Sequence, residues 1–517
     1  MHTLDVSGTI SRVFSRQPPC NSQQRTHAAM RMPPPLPPGP PTLPIMGSLP
    51  LIGMGKAAGL GPPPHERMSE LAAQYGSVMT LSFGREPWVV LSSPQAVHEA
   101  FVERASDFSG RPMVASMAIS SGNGQGFAQP TLTPELKRLR RAAFGSFFDK
   151  ARVAQAQVAL HEEAECLADH LVSVTAATGS GVELRGPLRR CVTNMVLRYA
   201  FSARVPFTSE GTGSRGRSSS DTYAELVDVA DEIWRDLCST STFAADLMAP
   251  PPVAGTTSAP ASSLLRSAYY APLAARVKKR DTLLLSIVAQ RRRLGIKPPT
   301  DPSADMLDAL LCAELSDSEV LYTLVDLFVA GVNTVASSLE WYLLLLAKEP
   351  LVQERARADT TKAHATATAQ GRAGYAQGVV REVLRAKPPL LLPRRAVVDS
   401  TVCGYAVPKG RVVLANNHAL TQSDEYWHEP QCFRPERWLQ EEANLGGSGV
   451  AACKYIPYSI GARACPGRQL AEAEMETATR TLLSRCRWRR VAPIDLREEY
   501  SLTLVPKMAQ ALRFERL

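Results

Sequence analysis

A long apolar segment near the middle of the chain constrains what the rest of it can fold into. Residues 320–347 hold enough apolar side chains to cross a bilayer, for which about twenty consecutive residues suffice. The uncharged stretch covers only residues 327–339, because Asp326 and Glu340 interrupt the run. We therefore predict a long helix buried inside a protein core, and no transmembrane helix in this chain.

Helical periodicity dominates the remainder of the chain. Apolar residues recur at helical spacing over residues 134–148, 151–175, 221–237, 274–293, 318–348, 376–385 and 467–484. Short strand-like runs predict strands at residues 78–83, 88–91, 401–405 and 412–416, and on both sides of Pro506. The predicted fold class is mainly α with small β-sheets.

Three regions follow one another along the chain. Residues 1–32 hold four arginines and a single acid, Asp5, which is typical of an organellar transit peptide. A disordered tail, or a start site placed past a membrane anchor, would look similar. Residues 33–63 are rich in proline and are predicted to form a stiff, extended lead-in. Residues 64–517 are predicted to form a single domain, with compositionally loose segments at 208–220 and 249–263.

Charge and cysteine usage disfavour several classes of protein. Fifty-eight Lys and Arg against forty-nine Asp and Glu give a net charge of +9, which favours an acidic protein partner or an anionic membrane surface. Nucleic acid is disfavoured because the basic residues are scattered and only 6% of residues are aromatic. None of the ten cysteines stands in a CxxC pair, so neither a structural zinc site nor a redox dithiol is indicated. A reducing compartment fits this usage best.

The strongest local motif lies at residues 458–467, which read YSIGARACPG. Cys465 is on a loop bounded by Gly461 and Gly467, just before a predicted helix. A thiolate is the ligating form of cysteine, and the N–H groups at a helix start lower the cost of its negative charge. The two glycines allow the backbone to turn and to approach a large ligand closely. The alternative is a buried, inert cysteine, which is the commoner case for a single cysteine.

This loop resembles the FxxGxRxCxG haem-binding loop of the cytochrome P450 family at every fixed position except the first, where Tyr458 replaces phenylalanine. The resemblance extends from about residue 37 to the C-terminus, through DFSGRP from residue 107 and GYAVPKG from residue 404. It implies a haem-thiolate monooxygenase in which Cys465 binds the iron of haem b. It also implies that Tyr458, Gly461 and Gly467 belong to the cofactor-binding loop. A thiolate ligand favours oxygen activation over oxygen storage.

A second pattern consists of an ExxR helix and a downstream FRPERW run. Glu382 and Arg385 lie three residues apart on a predicted helix and can pair, and Arg437 could complete a network in the interior. Alone, ExxR is a weak signal because surface helices produce it by chance. In the order ExxR, PERW and cysteine loop, these residues resemble the structural triad of the family. The resemblance implies a role in folding and not in catalysis.

The central helix contains AGVNT at residues 330–334, which resembles the oxygen-binding AGxDT or AGxET turn of the family. Ala330, Gly331 and Thr334 are expected on one face, where small residues leave space over the iron. The Thr334 hydroxyl can bond dioxygen or a relay water, although its alternative is a hydrogen bond to the carbonyl one turn earlier. Asn333 replaces the carboxylate of the family, and an amide can only orient water. Proton delivery therefore follows another route, is less tightly coupled, or is unnecessary because the chemistry uses no oxygen.

The resemblance assigns the haem propionates to Arg140, Arg394 and Arg463, whose guanidinium groups suit bidentate contact with carboxylates. Arg140 belongs to a helix similar to the WxxxR helix of the family, except that Leu136 replaces the tryptophan and removes one indole hydrogen bond. A solvated basic face, which could dock an acidic electron donor, is predicted for the neighbouring Lys137, Arg138 and Arg141.

The resemblance implies the P450 fold, with haem between the long central helix and the cysteine loop. The implied reaction inserts one atom of dioxygen into a small apolar substrate, whose pocket is expected to include residues 120–130, 390–392 and 502–505. Nothing in the sequence resembles a flavin or ferredoxin module, so electrons are expected from a separate NADPH-dependent reductase or a ferredoxin.

Two other functions remain open for such a chain. One is an oxygen-independent haem-thiolate isomerase or dehydratase acting on peroxides, and the other is a non-catalytic haem sensor or carrier. Thr334 disfavours both, whereas Asn333 mildly favours the first. The compartment is also open between an organelle, either a plastid or a mitochondrion, and the surface of the endoplasmic reticulum with peripheral membrane contact.

Overall fold

The computed structural model of the chain describes residues 33–53, 62–128, 131–142, 148–207, 219–239, 241–242, 245–246, 260–313, 315–365, 374–389, 393–439 and 449–517. The leader at residues 1–32, most of the two loose segments and the pocket positions 390–392 lie outside the described residues. The predictions made for them therefore stay predictions.

Helices make up most of the described chain, as the periodicity predicts. In chain order they are α1 (Pro64–Tyr75), α2 (Pro94–His98), α3 (Ala115–Ser120), α4 (Pro134–Ala142), α5 (Lys150–Thr178), α6 (Arg185–Phe201), α7 (Ser219–Cys238), α8 (Pro260–Leu294), α9 (Met306–Cys312), α10 (Asp317–Lys348), α11 (Pro350–Ala365), α12 (Tyr375–Ala386), α13 (Asn417–Gln422) and α14 (Arg468–Arg485).

Four small sheets complete the fold. Their strands are β1 (Val78–Phe83), β2 (Glu86–Leu91), β3 (Val182–Glu183), β4 (Arg394–Arg395), β5 (Ser400–Val402), β6 (Tyr405–Val407), β7 (Val412–Ala415), β8 (Cys486–Arg490), β9 (Glu498–Ser501), β10 (Thr503–Pro506) and β11 (Ala511–Arg516). The largest sheet has the order β1-β2-β7-β4, in which β2 and β7 are parallel. The others are β3-β11-β8 and two hairpins, β9-β10 and β5-β6.

The central helix α10 is the axis of the hydrophobic core. It starts with a capping box, in which Ser316 and Glu319 each bond the other's backbone N–H. By length and composition it is the one described helix that could cross a membrane, but 61% of its most apolar window is buried within the fold. The interrupting Glu340 is buried and accepts a hydrogen bond from Arg185 Nε at 3.2 Å. The helix is thus a core helix, as predicted.

The ExxR pattern forms a fully buried network. Both oxygens of Glu382 accept hydrogen bonds from Arg385 at 2.9 Å, and Arg437 Nε donates to Oε1 at 3.2 Å. Trp438 Nε1 donates to Oε2 at 2.9 Å, and the backbone N–H of Arg434 donates to Oε1 at 2.9 Å. The network joins α12 to the segment that leads toward the cysteine loop, which is the contact that the sequence pattern predicts.

The proline-rich lead-in forms no helix over residues 33–42 and is hydrogen-bonded to two sheets. Pro38 O accepts a hydrogen bond from Thr80 N at 2.7 Å, and Pro35 O accepts one from Ala406 N at 2.8 Å. Because proline carbonyls remain acceptors, this segment can pair at a sheet edge without donating. These two contacts place the segment beside β1 and β6, and its stiff, extended form stays a prediction.

Two local predictions were wrong, and helix α6 was not predicted. The strand predicted at residues 401–405 is a hairpin between β5 and β6, because Cys403 and Gly404 both have positive φ and reverse the chain. The helix predicted at 274–293 begins at Pro260, inside a segment expected to be loose, and continues through Pro272. Helix α6 was missed because most of its faces are buried, which removes the amphipathic stripe.

Candidate active site

The cysteine loop is held by backbone contacts that place Cys465 just before α14. Cys465 N donates to Tyr458 O at 2.9 Å. Gly461 has φ +69°, and a Cβ there would lie 1.8 Å from Phe101 O. Packing against Phe101 therefore requires glycine at 461, while its approach to a macrocycle stays a prediction. A Cβ on Gly467 would meet nothing within 4 Å, which leaves open space beside the thiol.

Two opposing effects act on the thiol of Cys465. Burial raises its pKa, whereas a hydrogen bond from the Gly467 N–H and the charges of Arg111 and Arg140 lower it, with a net increase. The protein's own groups therefore do not make the thiolate the favoured form. A bound cation such as a haem iron would supply the missing stabilisation, so the site fits a metal-ligating cysteine.

A cluster of like charges lies around this loop. Arg394 and Arg463 are each 2% exposed. Burial and the charges of Arg111 and Arg140 lower the pKa of both to about 9. Burial and Arg111 likewise lower the pKa of Arg140 to about 10. Four guanidinium groups that repel one another in a buried place fit a ligand with several negative charges, such as the two propionates of haem.

Backbone and side-chain contacts orient these arginines. Arg140 Nη2 donates to Ala464 O at 2.8 Å, next to the cysteine, and Arg463 Nε donates to Ser109 O at 2.7 Å. The guanidinium of Arg394 lies 3.9 Å from the centre of the Phe101 ring. Arg394 Nη1 is buried and has no hydrogen-bond partner among the described residues. This orphaned donor is what a bound carboxylate would satisfy.

Arg111 is a site residue that sequence reasoning missed. Burial lowers its pKa, while the charges of Asp326 on α10 and Cys465 on the loop raise it. The charge of Arg111 therefore interacts with both α10 and the cysteine loop. The sequence signal for Arg111 is the DFSGRP run, which resembles the family and contains this arginine.

The AGVNT turn lies in the buried middle of α10, but part of it is accessible. Ala330 is exposed and Thr334 is partly exposed, so this face of the helix borders an open space. Thr334 Oγ1 donates to Ala330 O at 2.7 Å, which is the alternative geometry for this side chain. Gly331 does not share that face, because its Cβ position points to Val196 of α6 at 3.4 Å. The predicted face is thus corrected to Ala330 and Thr334.

Asn333 faces a different space from Thr334. It lines a cleft of about 540 Å³, including its open mouth, between α6, α7, α8 and α10. In this cleft Arg189 Nη2 pairs with Asp231 Oδ1 at 2.7 Å. Burial raises the pKa of Asp231, although the charges of Arg189 and Arg190 oppose the shift. A carboxylate therefore shares the cleft with the amide that replaces the family's acid.

The basic face of α4 is as predicted. Lys137, Arg138 and Arg141 are exposed, and Arg138 pairs with Glu319 at the start of α10. Leu136 at the tryptophan position is fully buried in the core, so it makes an apolar contact where the family has a polar one.

Comparisons with known proteins agree with this geometry. A family model described as Cytochrome P450 matches residues 37–512. Zealexin A1 synthase of Zea mays is 28% identical over 474 residues, which cover 88% of this chain and 86% of that protein. Steroid 17-alpha-hydroxylase/17,20 lyase of Homo sapiens is 28% identical over 472 residues, which cover 86% of this chain and 85% of that protein. Trans-cinnamate 4-monooxygenase of Ruta graveolens is 26% identical over 451 residues, which cover 84% of this chain and 83% of that protein.

The fold is also that of solved structures. A zebrafish cytochrome P450 with abiraterone superimposes with a TM-score of 0.68 at 24% identity, covering 88% of this chain and all of that chain. Since the family model spans most of the sequence, the chain belongs to the cytochrome P450 family. It is an oxidoreductase of the monooxygenase class, and haem is its cofactor.

Proposed function

We propose that this enzyme inserts one atom of dioxygen into a small apolar organic substrate, with haem b bound through the Cys465 thiolate. The observation that carries the proposal is the meeting of this half-buried thiol with a buried arginine cluster, in which three other arginines repel Arg394. Iron would balance the thiolate, and the propionates would balance the arginines. One ligand with both kinds of group explains both features.

When bound, thiolate-ligated haem supplies the activation of dioxygen. The chain's own residues then have three tasks. The Gly467 N–H holds the sulfur of Cys465, the arginines orient the propionates, and the face with Ala330 and Thr334 leaves room for a small oxidant and a proton donor. Threonine in a helix occupies two χ1 rotamers, so the Thr334 hydroxyl can turn from Ala330 O toward that space.

A spectroscopic experiment tests the ligand. The reduced, carbon-monoxide-bound protein is expected to show the strongly red-shifted Soret band of thiolate ligation, and Cys465→Ala is expected to abolish it. Cys453→Ala is the matched control, because Cys453 is buried in the apolar core and belongs to no proposed site. An unshifted band in the wild-type protein would overturn the proposal.

We also propose that the proton path uses the carboxylate of Asp231 in place of the acid that Asn333 replaces. Support comes from the shared cleft and from the raised pKa, which favours proton uptake by Asp231. Asp231→Asn is expected to increase peroxide release per reducing equivalent, and Asn333→Asp in that background is expected to reverse it. The exposed Asp228, one turn away on α7, provides the control Asp228→Asn. Equal coupling in all variants would remove Asp231 from the path.

The oxygen-independent alternative differs in its need for electrons. Thr334→Ala in a monooxygenase is expected to raise peroxide release, whereas Thr334→Ser keeps the hydroxyl and the coupling. An isomerase or dehydratase would turn over a peroxide without any reductant and would be insensitive to this pair. Apolar compounds that cause a spin-state shift can be screened first, with and without a reductase, to find the substrate.

The electron donor is proposed to be a separate NADPH-dependent reductase or a ferredoxin with an acidic surface. The exposed residues Lys137 and Arg141 of α4 support this, because they lie on the helix that reaches the cysteine loop through Arg140. Lys137→Glu is expected to slow electron transfer most at low ionic strength. Rates that do not depend on salt would contradict a charged docking face.

Peripheral membrane contact is proposed through the lead-in. Leu43, Ile45 and Met46 are 56%, 65% and 46% exposed, which makes a concentrated apolar surface. Ile45→Ser is expected to weaken flotation with lipid vesicles, whereas Val491→Ser, at a residue that is also 57% exposed, is the control. A tag on residues 1–32, followed in cells, distinguishes an organelle from the endoplasmic reticulum surface.

A further inference from the structure

A group of metal-binding side chains outside the haem site lies where α1 meets α13. His65 and Glu66 are at the start of α1, and His418 is on α13. One potential ligand atom from each residue lies within 4.8 Å of the other two. His65 is buried, and the centres of the two imidazole rings are 5.2 Å apart. Two imidazoles and a carboxylate are the donor set of a His₂Glu zinc site, and the three groups would need to close in slightly around the ion.

The ring of His65 is oriented by a carboxylate on its outer side. His65 Nε2 is hydrogen-bonded to Glu498 of β9, and Lys387 forms an ion pair with the same carboxylate. An ionised carboxylate only accepts, so Nε2 of His65 carries a proton. Nδ1 is then the nitrogen with a lone pair for a metal. Zinc-binding histidines commonly have their second nitrogen held by a carboxylate in this way.

The ring of His418 is oriented by a hydroxyl. Ser69 Oγ lies 2.9 Å from His418 Nδ1, and it also donates to His65 O at 3.2 Å. Because serine has a single hydroxyl proton, which goes to His65 O, the hydrogen on Nδ1 of His418 is the one donated to Ser69. Asn416 Nδ2 also donates to Ser69 Oγ at 3.3 Å, and the second lone pair of this oxygen can accept from His418. The lone pair of neutral His418 is then on Nε2.

We propose that His65, Glu66 and His418 bind one zinc ion, with a water molecule as the fourth ligand. The ion would connect α1 to α13 directly, and to β9 through Glu498. It would thus cross-link the beginning of the domain to a hairpin near its end. This site is independent of the haem chemistry. No cysteine belongs to this group of ligands.

Metal content of the full-length, haem-loaded chain, purified without a histidine tag, tests the proposal. After removal of weakly bound metal and dialysis against zinc chloride, the wild-type protein is expected to retain about one zinc per chain. His418→Ala and Glu66→Gln are expected to lose it. Ser69→Ala is expected to bind zinc about 10–100-fold more weakly, because only an outer partner is removed. X-ray absorption at the zinc edge is expected to show N and O ligands at about 2.0–2.2 Å and no sulfur.

His161→Ala is the matched control. His161 lies on α5 beside Glu165, with 3.6 Å between Nε2 and Oε1, but it is 54% exposed and has no second imidazole nearby among the described residues. It is expected to retain zinc. The thiolate haem spectrum reports whether each variant is folded. Wild-type protein without zinc, sulfur ligands at the zinc edge, or equal zinc in His418→Ala and His161→Ala would each overturn the proposal.

Discussion

The buried carboxylate of Glu382 is expected to be among the most sensitive single positions for stability. It is fully buried, and its two oxygens accept five hydrogen bonds, from Arg385 twice, Arg434 N, Arg437 and Trp438. Glu382→Gln keeps the shape but removes the charge. Every group that faces the two oxygens is a donor, so the amide NH₂ meets donors in either orientation. Two buried guanidinium groups also lose their counter-charge.

The cost can be worked from this geometry. Breaking a buried ion pair by removing one partner costs about 3–5 kcal/mol, because the other charge stays buried and uncompensated. At about 2.1 cal/mol/K per residue, a 517-residue chain unfolds with an entropy of about 1 kcal/mol/K near its midpoint. The melting temperature of Glu382→Gln is therefore expected to fall by about 3–5 °C.

Differential scanning calorimetry of the haem-loaded protein at one scan rate measures this shift. The control is Glu165→Gln, whose partner Arg485 is equally half-buried, with both side chains 35% exposed. A pair this accessible contributes about 0–1 kcal/mol, so its melting temperature is expected to change by about 1 °C or less. A shift for Glu382→Gln no larger than that of the control would refute the reasoning.

Three further predictions concern single side chains. Arg394→Leu relieves repulsion in the arginine cluster, so the apoprotein is expected to melt at a higher temperature. Its affinity for haem, measured by transfer of haem to apomyoglobin, is expected to fall about 10–100-fold. Gly461→Ala places a Cβ 1.8 Å from Phe101 O and is expected to prevent haem incorporation, whereas Gly449→Ala meets nothing within 4 Å and is expected to be neutral. Burial raises the pKa of Asp308, but Arg291 and two backbone N–H groups outweigh it and lower the pKa below 3.8. The stability that wild type has over Asp308→Asn is therefore expected in full above the ordinary carboxyl pKa and is lost as pH falls through the lower folded pKa. Urea titrations at several pH values measure this difference. A difference that grows as pH falls would contradict the sign.

The sequence alone determined the fold class and predicted the haem ligand. The cysteine loop is a contiguous motif whose chemistry depends on neighbours a few residues away, so Cys465, Tyr458 and Gly467 could be recognised without coordinates. The central helix was predictable for a similar reason, because its apolar run is too interrupted for lipid and too long for a loop. The order of ExxR, PERW and cysteine loop then predicted a buried network that the structure contains.

Only the tertiary structure decided which distant residues share a site. Arg111 joins the cluster around Cys465 because an otherwise irregular segment runs past the loop, and no local periodicity signals that. Asn333 and Thr334 are adjacent in sequence, yet a helix turns about 100° per residue, so Asn333 lines a cleft with Asp231 and Thr334 lies on the face of the exposed Ala330. His65 and His418 come together because α1 packs on α13. Such contacts depend on how the elements pack, and the spacing of residues along the chain does not encode them directly.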